Sequence, residues 1–235
     1  MKIKIRYLLI SYILIGLLLV FVAFKFIKLI INSPYFCIKE IKSAEDIDIT
    51  YLGGKNIFRL NLFEIYHKLA NAYPQYQILK IVIWPPNSIV LKAHKRQPVA
   101  RIKLLRDFFV DSEGVLFFSQ EDFGDLPKIA GLETKFVQPK AGQKINLKEF
   151  DDALYLIEQF KKNPILKGYK LSKIEFKTPG DLYFFMDGVE VRIDEKKLAQ
   201  GLDLLVSILS QIKEEMEKIY YIDLRFKEPV IKYVK

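Results

Sequence analysis

Cysteine and histidine are nearly missing from this chain: Cys37, His67 and His94 are all that 235 residues contain. A lone thiol forms no intramolecular disulfide, which suits an oxidising compartment without indicating one. Cys37, two residues before Lys39 in an apolar segment, reads as a small buried hydrophobe. Neither histidine has a Cys, His or acidic residue at metal-ligand spacing on its own element, so no metal centre and no cofactor are expected. Glycine is scarce as well, with 11 residues. Gly53-Gly54-Lys55 lacks the spacing of a phosphate-binding loop and reads as a strained turn. There is no G-x-S-x-G elbow, and Asp111-Ser112-Glu113-Gly114 is too short for a calcium loop. Asp151-Asp152 and Glu214-Glu215 are neighbours on helices, where successive side chains diverge, so they read as solvated faces rather than acid/base couples. Internal repeats and low-complexity tracts are lacking too. With each of these classes set aside, the chain reads as a non-enzyme that takes no small-molecule substrate.

Acidic residues are absent from Met1–Lys28, which holds Lys2, Lys4, Arg6, Lys25 and Lys28. Between the two basic groups runs Tyr7–Phe24, YLLISYILIGLLLVFVAF, without a charge. At about 1.5 Å per residue it covers most of a hydrocarbon core of about 30 Å. The helix can continue to Ile31 while Lys25 and Lys28 snorkel to the headgroups. The run is longer than the apolar region of a cleaved signal peptide, and FKFIKLIINSPYF after it offers no small-x-small site, so an uncleaved signal anchor is expected. Three basic residues and the terminal amine precede the span and two follow it, a slight bias toward a cytoplasmic N-terminus. Five of the nine net positive charges lie in Met1–Lys28, leaving +4 for the remainder. The basic balance is therefore mostly a membrane flank, and a nucleic-acid partner is not implied.

Over the whole chain hydrophobic residues make up 51%, with 18 Phe and 13 Tyr, enough for a packed, strand-rich core beyond the anchor. Phe36–Lys42 reads as a strand. Asn61, with Glu64 three residues later, caps a helix whose Leu62, Ile65, Tyr66, Leu69 and Tyr73 share a face and which Pro74 ends. Ile78–Trp84 and Ile89–Lys95 follow as an antiparallel pair. Pro98 marks a boundary. After it come strands at Arg101–Leu104, Asp107–Val110 and Val115–Phe118. A second helix is capped by Asn146 with Glu149, with Leu147, Phe150, Leu154, Ile157 and Phe160 inward. A meander of Leu171–Phe176, Leu182–Met186 and Val189–Ile193 turns at Thr178–Asp181 and at Asp187-Gly188. Lys196–Met216 reads as a long helix, buried through Leu198, Leu202, Leu205, Ile208 and Ile212. Two last strands are expected at Tyr220–Phe226 and Val230–Val234.

The order of the first elements resembles the POTRA domain of the FtsQ/DivIB family of bacterial cell-division proteins. It runs from an F-x-I-K-x-I strand just past the anchor, through Gly54-x-Asn56-Ile57-Phe58, to an amphipathic helix, a hairpin on Pro85-Pro86 and Lys95-Arg96-x-Pro98-Val99-Ala100. The family has an acidic residue where Lys95 stands. Thirteen residues, Ser43–Lys55, replace its extra helix, which is expected here as a turn around Asp48–Leu52. The second half is similar to the family's β-domain in F-V-D-x-x-G at Phe109–Gly114, L-P-x-I-x-G from Leu126, D-G-V-E-V at Asp187–Val191 and I-D-L-R at Ile222–Arg225. The resemblance implies an α+β chain with a single N-terminal transmembrane helix and a small POTRA-like domain. A mixed α+β domain follows, on an antiparallel-rich sheet with helices on one face. The bounds are 1–6 for a cytoplasmic tail, 7–31 for the anchor, 34–97 for POTRA and 98–235 for the β-domain.

A final strand preceded by Pro229 is expected at a sheet edge, where strand addition by a partner and a plain edge guarded by Lys232 and Lys235 are both open readings. Arg225 reads as a salt-bridge partner of Asp223 or of a helix acid, and Phe226 as core. The resemblance implies more: a bitopic divisome scaffold that recruits FtsB/FtsL-like coiled-coil partners and other divisome membrane proteins and regulates septal peptidoglycan synthesis. The partner-binding residues would be Arg225 and Phe226 with Pro229, Val230, Ile231, Lys232, Tyr233 and Val234, aided by a basic residue before the D-G hairpin for which Lys177 is a candidate. It places the chain in the inner membrane at the septum, with its N-terminus cytoplasmic and the rest extracytoplasmic. The alternative is a POTRA-bearing secretion or envelope-assembly factor.

Overall fold

The computed structural model describes residues 2–43, 46–136, 138–212 and 216–234. Helix α1, Lys2–Ile31, contains the span: Tyr12–Ile31 has a mean hydropathy of 2.6 with none of it buried against protein. Twenty residues give about 30 Å, the thickness of a hydrocarbon core. An uncovered apolar helix of this length is what a bilayer stabilises. Pro34, which has no N–H to continue the ladder, ends it. Ser33 Oγ accepts from Tyr35 N at 3.2 Å and starts a 3₁₀ turn at Pro34–Phe36.

The chain folds into two units, Met1–Leu69 with Gln77–His94, and Ala70–Tyr76 with Lys95–Lys235. The first holds a three-stranded sheet in the order β1-β3-β2, from β1 (Glu40–Lys42), β2 (Tyr76–Trp84) and β3 (Ser88–Lys95). β1 runs parallel to β3, with Ile41 opposite Ile89. Helix α2, Leu62–Ala72, lies between β1 and β2 in the chain, and Asn61 Oδ1 accepts from Glu64 N at 3.3 Å as its cap. The first strand is shorter than Phe36–Lys42, because the Ser33-capped turn takes its start and Cys37 makes only an isolated bridge to Asn56. Cys37 is half-buried rather than buried; Ile38, at 3% exposure, fills the core there. The turn expected around Asp48–Leu52 is present: Asp48 Oδ1 accepts from Thr50 N at 2.9 Å and Oγ1 at 2.6 Å, opening a 3₁₀ turn at Thr50–Leu52 that buries Leu52. On α2 only Ile65 and Leu69 are buried, while Tyr66 faces out. A sheet of three strands covers only a narrow stripe of the helix.

The second unit is built on nine strands in the order β12-β11-β10-β9-β8-β7-β4-β5-β6. They are β4 (Pro98–Lys103), β5 (Asp107–Asp111), β6 (Leu116–Phe117), β7 (Lys128–Ala130), β8 (Leu171–Thr178), β9 (Asp181–Met186), β10 (Val189–Asp194), β11 (Ile219–Asp223) and β12 (Val230–Tyr233). Pairings β4–β7, β7–β8 and β10–β11 are parallel and the other five antiparallel. Strand β7 was not foreseen: its three residues are too short to show a period. Inward residues Ile174, Phe176, Leu182, Phe184, Met186, Val191, Ile193 and Ile222 form one core with α3 (Lys148–Lys162) and α4 (Leu198–Ile212). The helices thus cover one face of the sheet.

Several helix details differ from expectation. α3 begins after an extended Leu147 with no side-chain cap, not at Asn146; Glu149 and Asp151 in its first turn favour the positive end of the helix dipole instead. Leu156 and Ala153 are in the core while Leu154 is half-buried. The helix expected at Lys196–Met216 opens as a 3₁₀ turn, Glu195–Lys197, where Asp194 Oδ1 accepts from Lys196 N at 2.9 Å. Its far part falls on residues 213–215, outside the described residues with Glu214-Glu215. Leu209 is buried there, and Ile208 and Ile212 only partly.

Two of the sequence motifs meet inside the second unit. Arg96 Nη1 pairs with Asp111 Oδ2, while Asp111 Oδ1 accepts from Val115 N at 2.9 Å and Glu113 N at 3.0 Å. Arg96 Nε donates to Pro74 O at 3.2 Å. The pair is nearly enclosed, with side-chain exposures of 13% and 8%.

Candidate functional site

The two ends of the large sheet are unlike. Beyond β6 lies the segment around Gly142–Ile145: Leu116 N donates to Gln143 O at 2.9 Å, Gly142 N to Leu116 O at 2.7 Å, and Val115 bridges Lys144. That edge is covered. At the other end β12 pairs only with β11, through Asp223–Val230, Ile222–Ile231 and Tyr221–Lys232. Its outer backbone faces no strand among the described residues. Val230 (45%), Tyr233 (46%), Val234 (59%) and Phe226 (60%) are exposed, Pro229 and Lys232 likewise, and Ile231 is half-buried against the core. Phe226 is therefore not a core residue, contrary to the reading of that position from its own chemistry. Ile231 lies opposite Ile222, and past a bulge that skips Tyr220 on β11 the edge residue Tyr233 lies opposite Ile219. Lys235 lies outside the described residues.

Arg225 sits where the chain turns from β11 toward β12, and its fork is fully engaged. Nε donates to Asp223 Oδ1 at 2.9 Å, Nη2 to Asp223 Oδ2 at 2.6 Å and Nη1 to Asp181 Oδ2 at 2.7 Å. The hydrogen bonds it donates to Asp223, and after them the one to Asp181, raise the guanidinium pKa above its ordinary value. Burial opposes ionisation of Asp223, but the bonds from Arg225 outweigh it and its carboxyl lies below the usual range. The expected partner Asp223 is thus present, and Asp181 is a second one.

Two cross-strand rows carry this cluster over the open face of the sheet, away from the helices. One reads Glu175–Tyr183–Arg192–Asp223–Val230 and the next Lys173–Phe185–Glu190–Tyr221–Lys232. Tyr183 is buried beneath Lys177, Arg192 and Arg225, at 5.1, 6.0 and 5.9 Å from its ring centre. Arg192 stacks on Tyr221 at 4.2 Å and donates to Glu190 at 2.6 Å. Lys177, 3.3 Å from Glu175 and 3.5 Å from Glu190, therefore joins Arg225 across the Tyr183 ring. Lys232 lies over Tyr220 and Tyr221, and among the described residues it has no carboxylate within ion-pair distance. The sequence reading missed Asp181, Tyr183, Glu190, Arg192 and Tyr221. For the first four the signal was the alternation in DLYFFM and VEVRID, where every second residue leaves the core; Tyr221, in IYYID, has no such alternation around it.

Because Asp223 is depressed, its contribution to stability is present above its unfolded value of 3.8 and is lost as the pH falls through the lower folded value. Asp223→Asn is expected to cost about 2 kcal/mol at neutral pH, the scale of hydrogen bonds to a charged group. The gap between wild type and variant, followed by denaturant melts, should be flat above about pH 5 and close as the pH falls below 3.8. A gap unchanged down to pH 2 would remove the carboxylate from the account.

Other positions offer less. His67 packs against Phe63 at 4.3 Å on the outward side of α2, and His94 is exposed. Among the described residues no three His, Cys, Asp or Glu side chains converge to hold a metal. Asp152 is half-buried rather than solvated, its pKa raised by burial. Lys95, at the position of the expected acid, pairs with Glu121.

Comparison with known proteins bears on this arrangement. The family described as "Cell division protein FtsQ/DivIB, C-terminal" matches residues 100–225, more than half of the chain and most of the nine-stranded sheet. This chain belongs to the FtsQ/DivIB family. Its relatives include "Cell division protein FtsQ" of Geotalea daltonii, 27% identical over 83% of this chain and 71% of that protein. The proteins of the same name from Syntrophotalea carbinolica and a Geobacter species are each 27% identical, over 79% and 80% of this chain and 64% and 70% of theirs. The family match takes in Asp181, Tyr183, Arg192, Asp223 and Arg225 and stops short of β12. Family membership and the uncovered apolar helix together make this a membrane-anchored cell-division protein.

Proposed function

We propose that this protein is a non-catalytic divisome scaffold that captures an extended segment of a coiled-coil membrane partner of the FtsB/FtsL type on the outer edge of β12. The observation that carries this is the asymmetry of the nine-stranded sheet: one edge is covered by the chain itself, while the other is open and bears exposed Phe226, Val230, Tyr233 and Val234. An added strand gains main-chain hydrogen bonds from the open edge and specificity from side chains along it. Lys232 and Pro229 discourage indiscriminate pairing of the same edge. Arg225, locked by Asp223 and Asp181, fixes the turn that presents Phe226 and β12. Under this reading residues 34–97 form a POTRA-type domain and 98–235 the partner-binding domain. The N-terminus is cytoplasmic, the folded units are extracytoplasmic at the septum, and recruitment there regulates septal peptidoglycan synthesis.

The test uses the full chain in membranes, with affinity for FtsB/FtsL-type partners measured for wild type, Phe226→Ala and a deletion of Pro229–Lys235. Phe226→Ala is expected to weaken binding about tenfold or more, as loss of an exposed aromatic anchor does, with unchanged circular dichroism. The deletion should abolish capture. Binding that survives the deletion would show that the partner docks elsewhere.

A further inference from the structure

Two clefts open beside Asn32–Pro34, where the span ends. One, about 540 Å³, is lined by Lys25, Lys28 and Leu29 together with Asn32, Ser33 and Pro34. The other, about 430 Å³, shares Asn32 and Pro34 and adds Lys55, Asn56 and Arg59. Neither lining contains a carboxylate. Among the described residues Lys25, Lys28, Lys55 and Arg59 form no ion pair. Lys25 lies over Phe21 at 5.5 Å, Lys55 over Tyr51 at 5.2 Å, and Arg59 Nη2 donates to Asn32 Oδ1 at 2.7 Å, leaving its other N–H groups open.

The depth of this collar is set by direct bonds to the span. Asn56 Nδ2 donates to Ile31 O at 2.8 Å and its Oδ1 accepts from Phe58 N at 3.0 Å, so the 3₁₀ turn Ile57–Arg59 is held on the last turn of α1. Groups bonded to the end of a helix of hydrocarbon length lie among the lipid headgroups. Tyr35 and Phe58 are 61% and 52% exposed there, and Phe58 meets Phe36 edge-on at 5.0 Å. Exposed rings at this level suit the boundary between headgroups and acyl chains.

We propose that Lys25, Lys28, Lys55 and Arg59 form a binding site for the phosphate of an anionic phospholipid of the bilayer that α1 crosses, with Tyr35 and Phe58 resting on its acyl chains. The phosphate oxygens accept from Arg59 and the lysine ammoniums. A zwitterionic lipid brings an ammonium that this carboxylate-free lining leaves unpaired, so the site selects net negative charge. Asn56, in the Gly54-x-Asn56-Ile57-Phe58 stretch, acts as the positioning residue that brings Arg59 and Phe58 to the headgroups.

The full chain, purified in mild detergent, is titrated with phosphatidylglycerol or phosphatidylcholine and the retained lipid counted by native mass spectrometry. Wild type should retain phosphatidylglycerol about tenfold better than phosphatidylcholine. Lys55→Gln with Arg59→Gln keeps a donor for Asn32 and should remove that preference. Tryptophan at position 58, made as Phe58→Trp with Trp84→Phe, should be quenched by brominated acyl chains in nanodiscs. Equal retention of the two lipids, retention unchanged by the double substitution, or an unquenched tryptophan would each overturn the proposal. So would displacement of phosphatidylglycerol by inorganic phosphate at equal concentration, which would mark a free-phosphate site instead.

Discussion

Asp111→Ala is expected to destabilise the nine-stranded unit by about 3–5 kcal/mol, the scale for removing one partner of an enclosed ion pair. The carboxylate neutralises Arg96 and accepts from the backbone N–H groups of Glu113 and Val115. Alanine does neither, and Arg96 is left with Glu113 at 3.4 Å, whose side chain is half in water, as its remaining carboxylate. Arg96→Met should cost less, because a flexible apolar side chain can fill the space without a buried charge. The double variant should be milder than the sum of the two, since Arg96→Met removes the charge that Asp111→Ala strands. Denaturant melts of the full chain in detergent measure all three. Simple additivity, or a loss under about 1 kcal/mol for Asp111→Ala, would mean the pair is a solvated ion pair.

Gly131→Ala is expected to be as damaging, by steric contact rather than charge. Gly131 has φ of +85°, and a Cβ there would stand 2.2 Å from Phe176 O and 2.8 Å from Phe176 C. Both atoms are backbone of β8, the strand that β7 pairs with through Ile129 and Ile174. No rotamer change relieves such a contact, so the two strands must separate in the middle of the sheet. A cost of about 3–5 kcal/mol, in the upper tail for single substitutions, should lower Tm by about 10 °C or more. A melting temperature within about 2 °C of wild type would show that the β7–β8 approach is looser than described. Gly131 closes the L-P-x-I-x-G stretch, so the last position of that motif meets a backbone requirement.

Much of the fold was legible because its signals are local. The span is a matter of length and charge, and α2 was marked by Asn61 and Pro74. The β9–β10 hairpin followed from Asp187-Gly188, where both residues take positive φ, 46° and 85°. Where local signals compete, tertiary packing overrides them. Asn146 is as good a cap by composition as Asn61, yet α3 starts two residues later, because Leu147 stays extended and packs against the core. Tyr66 fits the apolar stripe of α2 but has no sheet to cover it. Strand β7 is held by neighbours on both sides and carries no period of its own.

By itself the sequence determined that the chain has one membrane-length helix, two α+β units' worth of alternating and amphipathic stretches, and no catalytic or metal-ligating pattern. Composition, spacing and turn chemistry act within a few residues, so they can be read without knowing what lies across the sheet. Pro229 marked the last strand as an edge, but only the tertiary structure decided that this edge is open and the β6 edge covered. Strand order is set by which apolar faces meet, over separations that no local pattern encodes. It likewise decided that Arg225 is shared between its neighbour Asp223 and Asp181, which lies 44 residues before the arginine, and that Phe226 faces out. The same holds at the membrane, where Asn56 reaches the end of α1 across 25 residues and turns scattered cations into a collar.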